Sequence, residues 1–249
     1  MGDLTILHTS DLHGKITPAA AERIHSEKQL SQGSILLDSG DAATSGNIYF
    51  RPGGEPILKV MSDVAYDAMA MGNREFHFLA SGLKSKVSLA RFPVLSANLK
   101  CKDPSQQLPV IGSITLAVCD LKVAVFGLTV PMITQDMFAS RVSPYIFDDP
   151  IETAKRVVPK LRDSSDIVVA LTHIGIDMDI KLAENVPGID LILGGHSHLM
   201  PPNHVTVQNT PIFHAGCWGR YIRKVLMKQT NSGWQVTTEV LDLQESKSR

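Results

Sequence analysis

A short apolar run ends in two glycines and two histidines at residues 191–198, which read LILGGHSH. The apolar residues have the length of a buried strand, and the Gly-Gly pair lets the backbone turn sharply where that strand ends. His196 and His198 flank the turn, so both imidazoles can reach one metal ion. Because surface turns also carry histidines, this segment alone leaves a metal site and a polar turn equally open.

Four other apolar runs are followed by polar side chains in the same way. Strands predicted at residues 4–8, 34–38, 65–71 and 166–172 precede Asp11 and His13, Asp41, Asn73 and His173, respectively. Apolar residues recur at helical spacing in residues 19–30, 56–61, 149–161 and 177–184. Alternating strands and helices predict βαβ units and a largely parallel sheet, whose ligand site lies beyond the carboxyl ends of the strands.

The rest of the chain predicts a second sheet within the same domain. Strands at 113–119 and 122–129 resemble a hairpin, and four closing strands are expected at 205–207, 211–214, 221–229 and 234–243. With 249 residues and 43% hydrophobic residues, the chain can bury a sizeable core. Without a repeat or linker, we expect residues 1–249 to form a single domain with a frayed tail at 243–249.

Charge and cysteine usage exclude several classes of partner. Lys and Arg number 24 and Asp and Glu 25, so the chain has no basic footprint for nucleic acid. No apolar run approaches membrane-spanning length. Cys101, Cys119 and Cys217 are far apart and odd in number, so they form neither a disulfide framework nor a metal knuckle. We expect a cytoplasmic location, unless an export signal has been removed, and no prediction of oligomeric state follows.

The polar side chains after the five strands form one set of oxygen and nitrogen ligands without a thiolate: Asp11, His13, Asp41, Asn73, His173, His196 and His198. Seven ligands are too many for one ion and suit two divalent ions. Asp41 is the natural bridging ligand because a carboxylate has two oxygens, although it also fits a turn or a helix cap. Mixed ligation favours Mn, Fe, Zn or Co over Ca or Mg.

The ordered motifs resemble those of the calcineurin-like metallophosphoesterases, and residues 6–14, 65–68 and 72–76 resemble the branch of 5′-nucleotidases and UDP-sugar hydrolases. The resemblance implies an α/β fold, a four-layer α/β/β/α sandwich of two mixed sheets with a binuclear metal centre at the sheet edges. It assigns Asp11, His13, Asp41 and His198 to one metal. It assigns Asp41, Asn73, His173 and His196 to the other.

Two departures from this family pattern affect the predicted chemistry. No residues remain for the C-terminal nucleotide-specificity domain of the branch, so its specificity is not carried over. Arg74 replaces the family's catalytic histidine after Gly-Asn, and His77 stands where the branch has an aspartate. Arg74 can bind phosphate oxygens but cannot donate a proton, since a guanidinium is not deprotonated in proteins.

These residues predict a dimetal-dependent phosphoester hydrolase of the 5′-nucleotidase type, with a role in nucleotide catabolism. We hypothesise that a metal-bound hydroxide attacks the phosphorus of a small phosphomonoester or nucleotide. Arg74 would bind the phosphate, and His77, about one helical turn away, would supply the proton unless it only packs or caps. Arg51, Asn98 and His214 are candidate substrate contacts.

Two other functions remain open on the sequence. Loss of the histidine and of the specificity domain also fits a phosphodiesterase. Arg74 further favours a weakly active metal-binding protein that senses phosphorylated ligands, although the retained ligand set argues against it.

Overall fold

The computed structural model describes residues 3–31, 33–231 and 233–244. The first seven strands are β1 (Leu4–Thr9), β2 (Ile35–Asp38), β3 (Ala68–Ala70), β4 (Val94–Leu95), β5 (Leu99–Cys101), β6 (Ser113–Val118) and β7 (Leu121–Thr129). The others are β8 (Tyr145–Phe147), β9 (Ile167–His173), β10 (Leu191–Gly194), β11 (His204–Val207), β12 (Thr210–His214), β13 (Tyr221–Thr230) and β14 (Gly233–Asp242). The helices are α1 (Pro18–Leu30), α2 (Pro56–Val64), α3 (Ala80–Val87), α4 (Pro150–Arg162) and α5 (Ile176–Asn185), with a 3₁₀ turn at Phe138–Arg141.

Two six-stranded mixed sheets form the centre of the fold. The first has the order β14-β13-β1-β2-β3-β4, in which β1 to β4 are parallel. The second has the order β11-β12-β10-β9-β7-β6, in which β12, β10, β9 and β7 are parallel. Antiparallel strands close both sheets at their edges. A small sheet of β5 and β8 was not predicted.

Three apolar cores define four layers. Alternate residues of a strand point to opposite faces of its sheet, so Ile6 of β1 packs between the sheets while Leu7 packs toward α1, α2 and α3. In the second sheet, Val169 faces the first sheet, whereas Val168 packs against α4 and α5. The predicted α/β/β/α sandwich of two mixed sheets is therefore confirmed.

Backbone conformation explains where two predicted elements end. Cys119 and Asp120 join β6 to β7 with φ of 50° and 64°, the pattern of a two-residue type I′ hairpin turn. Ala65 ends α2 in the left-handed conformation, with φ of 71°. The strand predicted at 65–71 consequently shortens to β3.

The structure describes only the first two residues of the tail predicted at 243–249. Leu243 is buried and its amide donates to the carbonyl of Arg220 at 2.7 Å, while the Gln244 amide donates to Asp242. Residues 245–249 lie outside the described residues.

Two further findings concern membranes and cysteines. Among the described residues, no helix is both long and apolar enough to cross a bilayer. All three cysteines are free. The single-domain organisation and the cytoplasmic location stay predictions.

Candidate metal centre

The carboxyl ends of β1, β2, β3, β9 and β10 meet at one edge of the sandwich. The loop after β1 runs along the loop after β2, because the amides of Asp11 and His13 donate to the carbonyls of Gly40 and Asp41 at 3.0 and 2.9 Å. The amide of His196, after β10, points at both carboxylate oxygens of Asp11, at 3.1 and 3.2 Å. These bonds join the loops of the two sheets.

Backbone strain is concentrated at this edge. Eleven non-glycine residues of the described chain have positive φ, and six of them lie here: Asp11, His13, Asp41, His196, His198 and Trp218. Each such residue costs on the order of 1–3 kcal/mol, so it persists only where its surroundings enforce it. The distribution therefore places the strained residues in the loops that carry the predicted ligands.

Three of the predicted ligands form a first group around Asp11. The Nε2 atom of His198 lies 3.0 Å from Nε2 of His13 and 3.3 Å from Oδ1 of Asp11. Two ligands that share one ion at about 2.1 Å lie about 3.0–3.4 Å apart, the edge of a coordination polyhedron. The spacing of this group therefore fits a metal ion.

The other four predicted ligands form a second group. Nε2 of His173 lies 3.2 Å from Oδ1 of Asn73, 3.3 Å from Nδ1 of His196 and 3.4 Å from Oδ1 of Asp41. Oδ1 of Asn73 is 3.1 Å from Nδ1 of His196. The Nδ1 atom of His173 lies 2.8 Å from the carbonyl of Ser39, a bond that leaves Nε2 free to bind a metal. The donor set thus fits a second ion.

The two groups share an acidic centre. Ligand atoms of Asp11, His13 and His198 lie within 4.8 Å of one another, and so do those of Asp11, Asp41 and His173. Asp11 is thus close to ligand atoms of both groups, and the bridging role assigned to Asp41 stays a prediction.

The electrostatics of the centre favour a cation. Burial lowers the pKa of His173, but the hydrogen bond and charge of Asp41 outweigh it and raise the pKa to about 9. Burial opposes ionisation of Asp41, yet His173 and the amide of Arg74 lower its pKa overall. The charge of Asp41 stabilises a proton on His173, and a divalent ion would displace that proton when it binds.

Arg74 places a cation directly over the Asp41 carboxylate. Its amide donates to Oδ1 of Asp41 at 2.7 Å, and its Nε lies 3.6 Å from Oδ2. Its Nη1 donates to the carbonyl of Thr44 at 2.9 Å, while 37% of the side chain stays exposed. The guanidinium can thus face an anion that approaches the centre.

Comparison with known proteins decides the family of this site. A sequence model of the calcineurin-like phosphoesterases matches residues 4–200. The chain belongs to this family.

The chain matches part of several longer proteins. The trifunctional nucleotide phosphoesterase YfkN of Bacillus subtilis is 34% identical over 90% of this chain and 18% of its own length. UshA of Yersinia enterocolitica is 32% identical over 92% of this chain and 50% of its own. The 5′-nucleotidase precursor of Thermus thermophilus superposes with a TM-score of 0.79 at 25% identity, covering 97% of this chain and 54% of that one. This calcineurin-like phosphoesterase therefore spans half or less of the curated relatives.

Glu75 ties two of the metal loops of the phosphoesterase together. Its Oε2 accepts the amides of Asp41 and Gly72, each at 2.9 Å, and its Oε1 accepts the amide of Ala43 at 2.8 Å. Burial and the charge of Asp41 raise its pKa, and the amide bonds oppose that shift. Glu75 does not cap a helix, because α3 begins only at Ala80.

Lys86 supports the same loops from below. It is fully buried, and its Nζ donates to the carbonyls of Gly46 at 2.7 Å, Ser45 at 3.4 Å and Arg74. Burial lowers its pKa, and the charge of Glu75 opposes that shift. No pattern in the sequence distinguished this lysine from a solvated one on α3.

His77 does not share a helical face with Arg74. Residues 73–75 form a turn, so the helical geometry expected between these residues is absent. The predicted pairing of Arg74 with His77 on one helical face is therefore wrong.

The ring of His77 is instead held in an aromatic pocket. It is 2% exposed, stacks on Phe78 at 4.9 Å, contacts the edge of Phe50 at 5.0 Å, and its Nδ1 accepts the amide of Leu79. Burial lowers its pKa. These contacts give His77 a packing role.

The candidate substrate contacts Asn98 and Arg51 lie in different environments. Asn98 is fully buried, and its amide bonds the backbone of Thr129 and Asp148 and the hydroxyl of Ser96, which uses all of its donors and acceptors. Arg51 is exposed, and no hydrogen bond of its side chain is found among the described residues. Asn98 thus has a structural role in the described chain, and the contacts of Asn98 and Arg51 with substrate stay predictions.

His214 belongs to a buried network between the second sheet and α5. Its Nε2 lies 2.9 Å from Oδ2 of Asp179 on α5, and Thr172 donates to the other carboxylate oxygen at 2.6 Å. His214 is 1% exposed and bonded to Asp179, and its contact with substrate stays a prediction.

His8 is buried nearby, and its Nε2 lies 2.7 Å from the hydroxyl of Ser39. Burial, followed by the charges of His214 and Arg223, holds the pKa of His8 well below its usual range. These contacts give His8 a structural role.

Proposed function

We propose that this chain carries a metal-dependent phosphoester hydrolase whose substrate is a small phosphomonoester or nucleotide. The observation that carries the proposal is the convergence of seven lone-pair donors, in two groups with polyhedron-edge spacing, beneath a half-exposed arginine. Carboxylates alone at this edge would repel a phosphate, so a cation is needed for the site to bind one.

The donor sets point to two divalent ions. Asp11, His13, Asp41 and His198 would hold one, and Asp41, Asn73, His173 and His196 would hold the other. Nitrogen and oxygen donors without thiolate fit Mn, Fe, Zn or Co. When bound, the ions would supply Lewis acidity toward phosphoryl oxygens and an acidified water.

Arg74 determines which leaving groups the site tolerates. A guanidinium matches phosphate oxygens in two parallel hydrogen bonds and stabilises their charge. It cannot protonate an alkoxide, and loss of a general acid typically costs about 10²–10⁴ in rate. Esters of acidic alcohols and phosphoanhydrides have leaving groups that depart without being protonated. They should be hydrolysed faster than alkyl esters.

The names of the relatives support nucleotides as the substrate class. YfkN is named a nucleotide phosphoesterase, and the Thermus protein a 5′-nucleotidase precursor.

The test is an assay of the Mn²⁺-loaded protein on 4-nitrophenyl phosphate, bis-4-nitrophenyl phosphate and glycerol phosphate. We expect turnover of the aryl monoester with slow turnover of the alkyl ester. Arg74→His should raise the alkyl rate selectively, whereas Arg74→Lys keeps the charge without supplying an acid near neutral pH. Equal gains with both variants, or none, would show that the missing acid is not the reason for slow alkyl turnover.

A second candidate, a sensor of phosphorylated ligands, is favoured by Arg74 alone. It predicts Mn²⁺-dependent binding of phosphate esters without turnover in the wild type and gain of turnover in Arg74→His. The assay also identifies a phosphodiesterase, through faster hydrolysis of the bis-aryl ester.

A further inference from the structure

The segment between β12 and β13, residues 215–220, is fixed onto the loop that carries Asp11. The hydroxyl of Ser10 donates to the carbonyl of Gly216 at 2.8 Å. The amide of Trp218 donates to the carbonyl of Asp11, also at 2.8 Å. Gly219 approaches Lys15 so closely that an added Cβ would lie 2.5 Å from the Lys15 carbonyl oxygen. The segment is therefore held rigidly beside the candidate metal centre.

Trp218 is an exposed aromatic side chain in this rigid segment. Its indole is 53% exposed, although tryptophan is normally well buried. Its ring centroid lies 6.1 Å from that of His198, at 75°. The residue has φ of 62°, a strained conformation for a bulky side chain. The backbone thus pays conformational energy to hold a wide apolar ring at the rim of the site.

We propose that Trp218 is the stacking platform for the aromatic group of the substrate, which for a nucleotide is its base. The inference rests on the proposed phosphoester hydrolysis and names the feature by which the site distinguishes nucleotides from simple phosphate esters. A phosphate at the centre places the group attached through its sugar farther out. The exposed indole lies there, in contact with the ring of His198. Because every base has a π face, the platform accepts all bases.

Lys15 complements the platform. Its Nζ lies 5.9 Å from the centroid of the Trp218 ring, a cation–π contact at an exposed position. Such a contact is weaker than the stacking of a base, so the flexible lysine can yield to the substrate. Its charge then remains near an anionic ligand.

The kinetic test compares adenosine 5′-monophosphate with ribose 5-phosphate, which lacks the base. In Trp218→Ala, kcat/KM for the nucleotide should fall about 5- to 150-fold, the range of one stacked base, and kcat/KM for the sugar phosphate should not change. Trp218→Phe should keep most of the preference. Equal losses on both substrates, or none, would overturn the inference while leaving the hydrolase intact.

A binding test separates the inference from the proposed function. The chain has two tryptophans, and Trp234 pairs with Gln229 beyond the amino end of β1, at the opposite end of the sheet from Asp11. In Trp234→Phe, all indole fluorescence comes from Trp218. We expect saturable quenching of the Mn²⁺-loaded protein by adenosine but not by ribose.

If the wild type hydrolyses neither phosphate ester, the proposed function fails and the quenching decides the inference by itself. Saturable quenching by adenosine then supports the platform, and its absence overturns it.

Discussion

Replacing Glu75 by Gln tests whether one buried carboxylate holds the metal loops in place. Both of its oxygens accept backbone amides, two on Oε2 and one on Oε1, which is the pattern of an ionised carboxylate. Glutamine keeps one oxygen and puts an NH₂ group where the other was. If the glutamine oxygen accepts the amides of Asp41 and Gly72, the new NH₂ group faces the amide of Ala43. Two hydrogen-bond donors then face each other.

The magnitude follows from these contacts. A hydrogen bond to a charged group contributes about 1.5–3 kcal/mol, and a buried amide left without a partner costs about 1–3 kcal/mol. These two contributions partly count the same energy, so they are not simply added. We expect Glu75→Gln to lower the free energy of unfolding by about 2–4 kcal/mol. At a urea m-value of about 3 kcal/mol/M, the midpoint moves by about 1 M.

Glu55→Gln is the matched control. Glu55 is also buried, at 1% exposure, but it accepts from the hydroxyls of Ser45 and Thr44. Hydroxyls can turn and accept from the new NH₂ group, whereas backbone amides can only donate. The control should therefore cost less than about 1 kcal/mol.

Mn²⁺ affinity provides the functional readout, because Glu75 positions the amide of Asp41. We expect about 10- to 100-fold weaker Mn²⁺ binding in Glu75→Gln and no change in Glu55→Gln. Urea unfolding and Mn²⁺ titration measure both effects. Equal destabilisation of the two variants, to within about 0.5 kcal/mol, would refute the donor–donor argument.

Three further outcomes follow. His8 stays neutral when folded, so only the unfolded chain takes up a proton there below about pH 6.5. The free energy of unfolding should therefore fall toward pH 5, by up to about 1.4 kcal/mol per pH unit. In urea unfolding at several pH values, His8→Gln should show a weaker pH dependence than His204→Gln, which changes an exposed histidine. Gly194→Ala places a Cβ 2.3 Å from both the Asp179 carboxylate and the His214 ring and should cost about 1–3 kcal/mol, whereas Gly46→Ala, with open space around it, should not. In thermal melts, Mn²⁺ at 100 times its Kd should stabilise the wild type by about 2.7 kcal/mol and Asp41→Asn by less.

The convergence of the polar strand ends could be predicted because it depends on topology alone. Parallel strands deliver their carboxyl ends to one edge, and residues such as His173 follow a buried run directly. Register and loop conformation were not needed to group Asn73 with His196, although they are separated by more than a hundred positions.

The supporting contacts could not be predicted, because they depend on loop backbones. Glu75 reaches amides in two loops, and nothing in its sequence neighbours indicates where those amides point. The spacing from Arg74 to His77 predicts a shared face only if the segment is helical, and residues 73–75 turn instead. Trp218 lies in a Gly-rich segment directly after the strand predicted at 211–214. Its composition and position could have indicated a candidate site residue from the sequence.

The structure changes the argument about the missing histidine. Arg74 is the cation that lies over Asp41, His77 packs against Phe78, and the role of His77 as proton donor stays a prediction. A site that keeps its metal donors but lacks a proton donor retains binding and charge stabilisation, and loses the step that depends on leaving-group basicity. Dependence of the rate on the pKa of the leaving group, steeper in the wild type than in Arg74→His, is therefore the kinetic property by which this chain should differ from relatives that keep the histidine.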